Sequence, residues 1–333
     1  MKQKSVKILI LLLLVAFLFT LTGCGDKKQV DDIDDNYRVF YEIFVGSFSD
    51  SDGDGCGDLR GIINRMDYLN DGDVTSGKSL GIQGIWLSPV FQSPSYHKYD
   101  AADYYQVDEK FGTEEDLKEL IDLCHKRNVK VILDLVINHT SNANLMFTKF
   151  TNAHKANDKN DEYYDFYVHC NTAEKSGGHS YNLIPGCTDD YYECNFSTDM
   201  PELNFDHEAV RDFAVQLAKY YLDLGVDGFR FDAVKYIYYS NTTKSAEFWN
   251  WYMEELQKIK EDIYCVGECW SGEGEIMEYI PALNCFNFQM AQSEGFIASA
   301  AKGGYMSIFT NYVENHTKQL QEKREDVMMI PFI

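Results

Sequence analysis

The sequence predicts an α/β fold, a (β/α)8 barrel in which about seven strands are present. Two observations carry this prediction. Three apolar, strand-like runs, at 131–139, 225–232 and 264–268, each end in acids or bases. Buried parallel strands read as Val/Ile/Leu stretches, and in a barrel their carboxyl ends open onto one mouth, so polar residues placed there converge. Asp134, Asn138, His139, Arg230, Asp232 and Glu268 are therefore expected to line one pocket. The second observation is that strand and helix patterns alternate along the chain, as βα units require.

The elements follow in order. Strand patterns lie at 39–48, 82–90, 129–137, 226–231, 263–266, 285–288 and 327–332, one short of closure. Helical spacing of apolar residues marks 114–127 and 208–224; in the second, Val210, Phe213, Ala214, Leu217 and Tyr221 form a core-facing stripe. From 140 to 204 the periodicity lapses into Asn, Gly, Tyr and Cys, the composition of a loop-rich excursion. A length of 333 residues leaves room for a barrel of about 250 residues.

Charge and the amino terminus bear on partners and place. With 53 acidic against 30 basic side chains the net charge is −23, which excludes nucleic acid as a partner and suits an exported, cation-binding protein. Lys2, Lys4 and Lys7 precede an apolar run at 8–21, the pattern of a signal peptide. The run ends in Leu21-Thr22-Gly23-Cys24, which resembles a bacterial lipobox. Residues 1–23 are thus expected to be a lipoprotein signal, Cys24 the lipid-bearing residue, and 24–36 a polar tether at the extracellular face of a bacterial membrane. Export permits disulfides among the other cysteines, Cys170, Cys187 and Cys194 included, and free thiols are the equal alternative.

A second motif stands apart. Asp50-Ser-Asp52-Gly-Asp54-Gly-Cys56-Gly-Asp58 places alternate carboxylates in a glycine-bent loop able to wrap a hard cation. The twelfth position is Gly61 rather than Glu, which argues against an EF-hand.

The ordered set of segments resembles the alpha-amylase family of glycoside hydrolases. It comprises Asp134-Leu-Val-Ile-Asn138-His139, Gly228-Phe-Arg230-Phe-Asp232-Ala-Val-Lys235 and Val266-Gly-Glu268-Cys-Trp270. Tyr96-His-Lys-Tyr99-Asp100 ahead of Asp103-Tyr104, Phe111-Gly112-Thr113 and Met200-Pro-Glu-Leu-Asn204 agree with it, from about Tyr37 to the last residue. The resemblance implies a barrel over 37–139 and 205–333, with a small, loop-rich B domain at 140–204 inserted after strand 3. It implies an α-glucan substrate and a retaining mechanism, with Asp232 as nucleophile and Glu268 as acid/base about 5 to 5.5 Å apart.

Arg230, two residues before Asp232 on the same strand face, is expected to hold and aim the nucleophile, and Trp270 to raise the Glu268 pKa by desolvation. The resemblance makes Tyr99, His139 and Lys235 substrate contacts and Asp134 a residue that orients its neighbours. Lys98 stands where many relatives have Gly, and Tyr236 where many have His. Some relatives use the acidic loop as a structural calcium site, with side chains from Asp50, Asp52, Asp54 and Asp58 and the Cys56 carbonyl. The family's fourth segment, Phe-x-x-Asn-His-Asp, has no counterpart before Ile333. The chain as given is therefore expected to lack the third catalytic carboxylate and to be inactive. A glucan transferase or isomerase on the same residues, or a non-catalytic carbohydrate-binding relative, are the alternatives.

Overall fold

The computed structural model describes residues 33–291 and 294–332. The signal run and Cys24 lie outside the described residues. Seven parallel strands form the scaffold: β1 (Phe40–Ile43), β2 (Gly84–Leu87), β3 (Lys130–Leu135), β4 (Gly228–Phe231), β5 (Tyr264–Gly267), β6 (Phe286–Asn287) and β7 (Ile330–Pro331). The first five pair in chain order in one sheet, and β6 pairs with β7. A parallel bridge between Gly267 and Cys285 joins the two groups. No pairing links β1 to β7 among the described residues, so the sheet is an open barrel wall rather than a closed one. A cavity of about 560 Å³ lies inside the wall, lined by Phe40, Glu42, Trp86, Tyr264, Phe286 and Ile330.

All strands but β5, which is displaced by one residue, are shorter than their apolar runs. The first run continues as a one-turn helix, Val45–Phe48, whose Val45 is apolar because it is buried and not because it pairs. Alternate residues serve two layers. Ile85, Leu87, Val131, Leu133, Phe229 and Phe231 join the large outer core with the helices, whereas Trp86, Ile132, Val266, Phe286 and Phe288 fill the inside. Strands β4 and β5 approach closely at Gly228, where an added Cβ would lie 1.7 Å from the Tyr264 carbonyl oxygen.

The outer helices are α1 (Leu59–Asn64), α2 (Glu114–Lys126), α3 (Leu145–Ala156), α4 (Glu208–Leu224), α5 (Thr242–Ile259), α6 (Glu273–Tyr279) and α7 (Met306–Lys323). Helix α2 starts in a reciprocal capping box between Thr113 and Asp116. Helix α4 stops at Gly225, whose φ of 110° belongs to the left-handed region that glycine adopts without strain. None of the described helices is long and apolar enough to cross a membrane.

Two expectations change here. The stretch 140–204 is not all loop: it holds α3 and a three-stranded antiparallel sheet ordered His169–Cys170, Tyr191–Glu193, Tyr181–Leu183. The tether expected through residue 36 is already folded at Asp35, which accepts from Arg38 Nε and Lys130 Nζ, both at 2.6 Å. The eight described cysteines are all free thiols.

Candidate active site

The mouth is built by register. Asp134 on β3 stands level with Arg230 on β4, and Val266 on β5 is level with Arg230 on the other side. Two residues further along β4 and β5 come Asp232 and Glu268, on the same face because side chains alternate. Leu135 and Phe231 end their strands. Beyond Asp232 the chain turns sharply at Ala233, with φ 48° and ψ 45°, so the acid sits at the lip of the barrel.

One guanidinium organises the acids. Arg230 Nη1 donates to Asp134 at 2.7 Å and to Asp232 at 2.8 Å, and Nη2 lies 2.7 Å from Glu268. The arginine is 4 % exposed and its guanidinium lies 5.1 Å over the Trp86 ring and 5.8 Å from the Tyr99 ring. Its neighbouring acids hold its pKa well above the ordinary value despite burial. Tyr99 donates its hydroxyl to Asp134 at 3.0 Å, so Asp134 is gripped from two sides.

Three carboxyl groups around one cation leave an excess of negative charge in a buried place. Burial pushes the Asp134 carboxyl up to about 7 and raises that of Glu268, with Arg230 opposing both. Asp134 and Glu268 are thereby both held above the ordinary carboxylate range. The role expected of Trp270 is corrected. Its indole N–H donates to Glu268 Oε1 at 2.5 Å and pulls the Glu268 pKa down; burial is what raises it. Trp270 itself is half exposed and stacks on Phe288 at 3.8 Å.

His139 is buried, and desolvation pushes its pKa down to about 4 against a smaller pull from the Tyr99 backbone, so the ring is neutral at neutral pH. Its Nδ1 meets the Asn138 amide at 3.3 Å while Nε2 makes no hydrogen bond. With Tyr99, Phe196, Arg230, Asp232 and Glu268 it lines an open cleft of about 380 Å³. Lys235 is not free in that cleft: its ammonium donates to the Trp270 carbonyl at 2.9 Å and the Ser271 hydroxyl at 3.1 Å, tying the loop after β4 to the loop that carries Glu268. Lys98 has φ 67° and a buried ion pair with Asp108 at 2.6 Å.

Two residues escaped the sequence reading. Trp86 underlies Arg230; alternation along β2 places it inside the barrel, but only strand register puts it beneath the arginine. Phe196 packs against His139 at 5.1 Å from the far end of the excursion, a contact no local pattern encodes.

The acidic loop is a separate cluster. Ligand oxygens of Asp50, Asp52 and Asp58 lie within 4.8 Å of one another. Asp50 accepts from the backbone N–H groups of Asp52, Gly53 and Gly55, which lowers its pKa, and Asp58 accepts from Ser51 and Gly61. Asp54 is not in the cluster: its carboxylate accepts from the Cys56 N–H at 2.7 Å. An all-oxygen donor set of this kind fits a hard cation such as calcium.

Comparison with known proteins places this architecture. The family described as alpha amylase, catalytic domain, matches residues 42–330. Alpha-amylase 3 of Dictyoglomus thermophilum is 39% identical over 286 residues, covering 85% of this chain and 52% of that protein. Oligo-1,6-glucosidase of Bacillus cereus is 39% identical over 211 residues, covering 60% of this chain and 35% of that protein. The solved structure of Eubacterium rectale Amy13B superposes with a TM-score of 0.81 at 38% identity, covering 90% of this chain and 57% of that one. The chain thus spans between about a third and just over half the length of these relatives. With the family model matched across residues 42–330, nearly all of the described barrel, the chain belongs to the alpha-amylase family.

Proposed function

We propose that this chain carries the catalytic centre of a retaining glycoside hydrolase acting on α-1,4-linked glucans, with the 140–204 excursion serving as its B domain. The observation that carries the reading is the single buried guanidinium holding Asp232 and Glu268 on adjacent nitrogens, at 2.8 and 2.7 Å. Such a pair can work in opposite protonation states. Asp232, oriented by Arg230, attacks the anomeric carbon while Glu268, its pKa raised by burial, gives its proton to the leaving oxygen. Glu268 then takes a proton from water, which attacks the glycosyl-enzyme ester, expels the Asp232 carboxylate and releases the sugar with its configuration retained. Neutral His139, with Nε2 unengaged, is placed to bond a sugar hydroxyl, and Tyr99 to cover a ring face. Asp134 positions Arg230 and Tyr99 rather than reacting.

Product analysis on maltoheptaose, by this chain and by a form extended through a relative's fourth segment, tests this. Hydrolysis yields α-configured maltooligosaccharides, transfer yields longer or relinked products, and Asp232→Asn removes turnover by orders of magnitude while binding survives. Near-normal turnover in that variant overturns the assignment. Ala233, smaller than the Val common after the nucleophile in α-1,6-acting relatives, supports α-1,4 preference; faster cleavage of isomaltose than of maltodextrins overturns it. The same reading includes a structural calcium held by Asp50, Asp52 and Asp58, with Asp54 and the Cys56 carbonyl as the further expected ligands. It also includes a lipid anchor at Cys24 on the outer face of a bacterial membrane, which predicts that Cys24→Ala moves the protein out of the membrane fraction.

A further inference from the structure

We propose that the 140–204 excursion carries a site for a borderline-soft divalent metal such as zinc, held by His154 Nδ1, the Asp190 carboxylate and the Cys187 thiolate. His154 stands in the last turn of α3 with its side chain fully buried, and its Nε2 meets the Tyr164 carbonyl oxygen at 2.9 Å. A carbonyl only accepts, so Nε2 carries the ring proton. Burial pushes the His154 pKa down and keeps the ring neutral, which leaves Nδ1 as a bare lone pair. That lone pair faces Asp190 Oδ2 at 3.6 Å and makes no hydrogen bond to a described residue. Two acceptors turned on each other call for a cation between them.

The spacing suits a metal ion. Donors about 2.1 Å from a tetrahedral zinc stand about 3.4 Å apart, close to the 3.6 Å between these two atoms. Donation of the other ring N–H to a carbonyl is also the usual way a ligand histidine is oriented. The third donor comes from the loop that carries Asp190. Residues 184–190 join the strands Tyr181–Leu183 and Tyr191–Glu193. Within them the Ile184 N–H donates to the Asp190 carbonyl at 2.8 Å, and the Cys187 N–H to the Ile184 carbonyl at 2.9 Å. Gly186, at φ 90°, lets this loop lie against α3: an added Cβ would come 2.8 Å from Lys155 Cε, one residue past His154. Burial and then the Asp190 charge raise the pKa of the partly buried Cys187 thiol, so thiol and carboxylate are neighbours. Among the described residues only Asp50, Asp52 and Asp58 already gather three donor atoms within 4.8 Å, so zinc draws the 184–190 loop onto the preset pair. A thiolate and an imidazole select a softer ion than the all-oxygen loop does.

Titration calorimetry of the reduced, chelator-treated full chain with Zn²⁺, and absorption spectra with Co²⁺ in its place, test the site. Zinc is expected to bind and raise the Tm with Ca²⁺ in excess, and cobalt to give a thiolate charge-transfer band. Cys187→Ser is expected to remove the band and Asp190→Asn to weaken zinc at least about tenfold. Both side chains are partly exposed, so neither change empties the core. Cys170→Ser is expected to keep both the band and the zinc affinity, which separates this site from the other thiols. Zinc affinity that survives both loop substitutions, a cobalt band that follows Cys170 rather than Cys187, displacement of zinc by Ca²⁺, or no zinc binding by the unmodified chain overturns the proposal.

Discussion

Two groups of carboxylates, one at the strand ends of the mouth and one in the loop that follows the Val45–Phe48 turn, behave in opposite ways. At the mouth, Asp134, Asp232 and Glu268 share one buried arginine; in the loop, Asp50 and Asp52 are exposed, and Asp50 is held by backbone N–H groups. Burial raises the proton affinity of Asp134 and Glu268, and hydrogen bonding lowers that of Asp50. The same side chain thus holds its proton or gives it up according to whether it is stripped of water or met by hydrogen-bond donors. Cooperation among the mouth acids needs a resident cation, supplied by the chain; the loop has room for one supplied from solution.

The largest expected effect breaks the mouth. Arg230→Met leaves three acids around a buried, uncompensated site and is expected to cost about 3 to 5 kcal/mol, read from urea unfolding at pH 7. The loss is expected to shrink at pH 5, where the acids take up protons. An equal loss at both pH values would show that packing over Trp86, not charge, is what the arginine provides.

The next effect concerns the loop. Calcium at a hundred times its Kd is expected to add about 2.7 kcal/mol, seen as a rise in Tm that a chelator reverses. Because Asp54 lies outside the three-carboxylate cluster, Asp52→Ala is expected to abolish the rise and Asp54→Ala only to reduce it. The reverse ranking would move the site to the other end of the loop.

A third test compares the slopes with pH. Asp134 holds its proton more tightly folded, at about 7, than its ordinary value of 3.8. The native state therefore binds more protons between about pH 4 and 7, and its contribution to stability is present below that window and lost as pH rises through it. Asp134→Asn is expected to flatten the fall in urea midpoint over this range. Asp50, with a depressed pKa, has the opposite sign, its contribution present above pH 4 and lost on acidification. The smallest effect is expected from Trp270→Phe, which removes a donor to Glu268 and should move the basic limb of the pH profile of kcat/KM upward.

The sequence was most legible where one cause governs a residue. Strand order and the convergence of Asp134, Arg230, Asp232 and Glu268 follow from apolar runs that end in charge, and the β3, β4 and β5 registers bear them out. Strand ends were read too long because residues such as Val45 are apolar for packing on a helix rather than for pairing. Helix α3 was missed because Thr, Lys and Asn dilute its stripe, although Phe147, Phe150, Thr151 and His154 are buried at helical spacing behind the Asn144 cap. The sign of the Trp270 effect was illegible, since a tryptophan beside an acid can desolvate it or donate to it, and only geometry decides.

The excursion at 140–204 is clamped at both ends by the barrel itself. His139 bridges to Glu202, the Leu203 N–H donates to the Asn138 carbonyl at 3.0 Å, and the Thr140 N–H donates to the Pro201 carbonyl at 3.1 Å. Entry and exit therefore meet at one point, and whatever lies between is a cassette plugged into a fixed socket. Exchanging the residues between the two ends, Phe196 included, is then expected to leave His139, Asp232 and Glu268 in place.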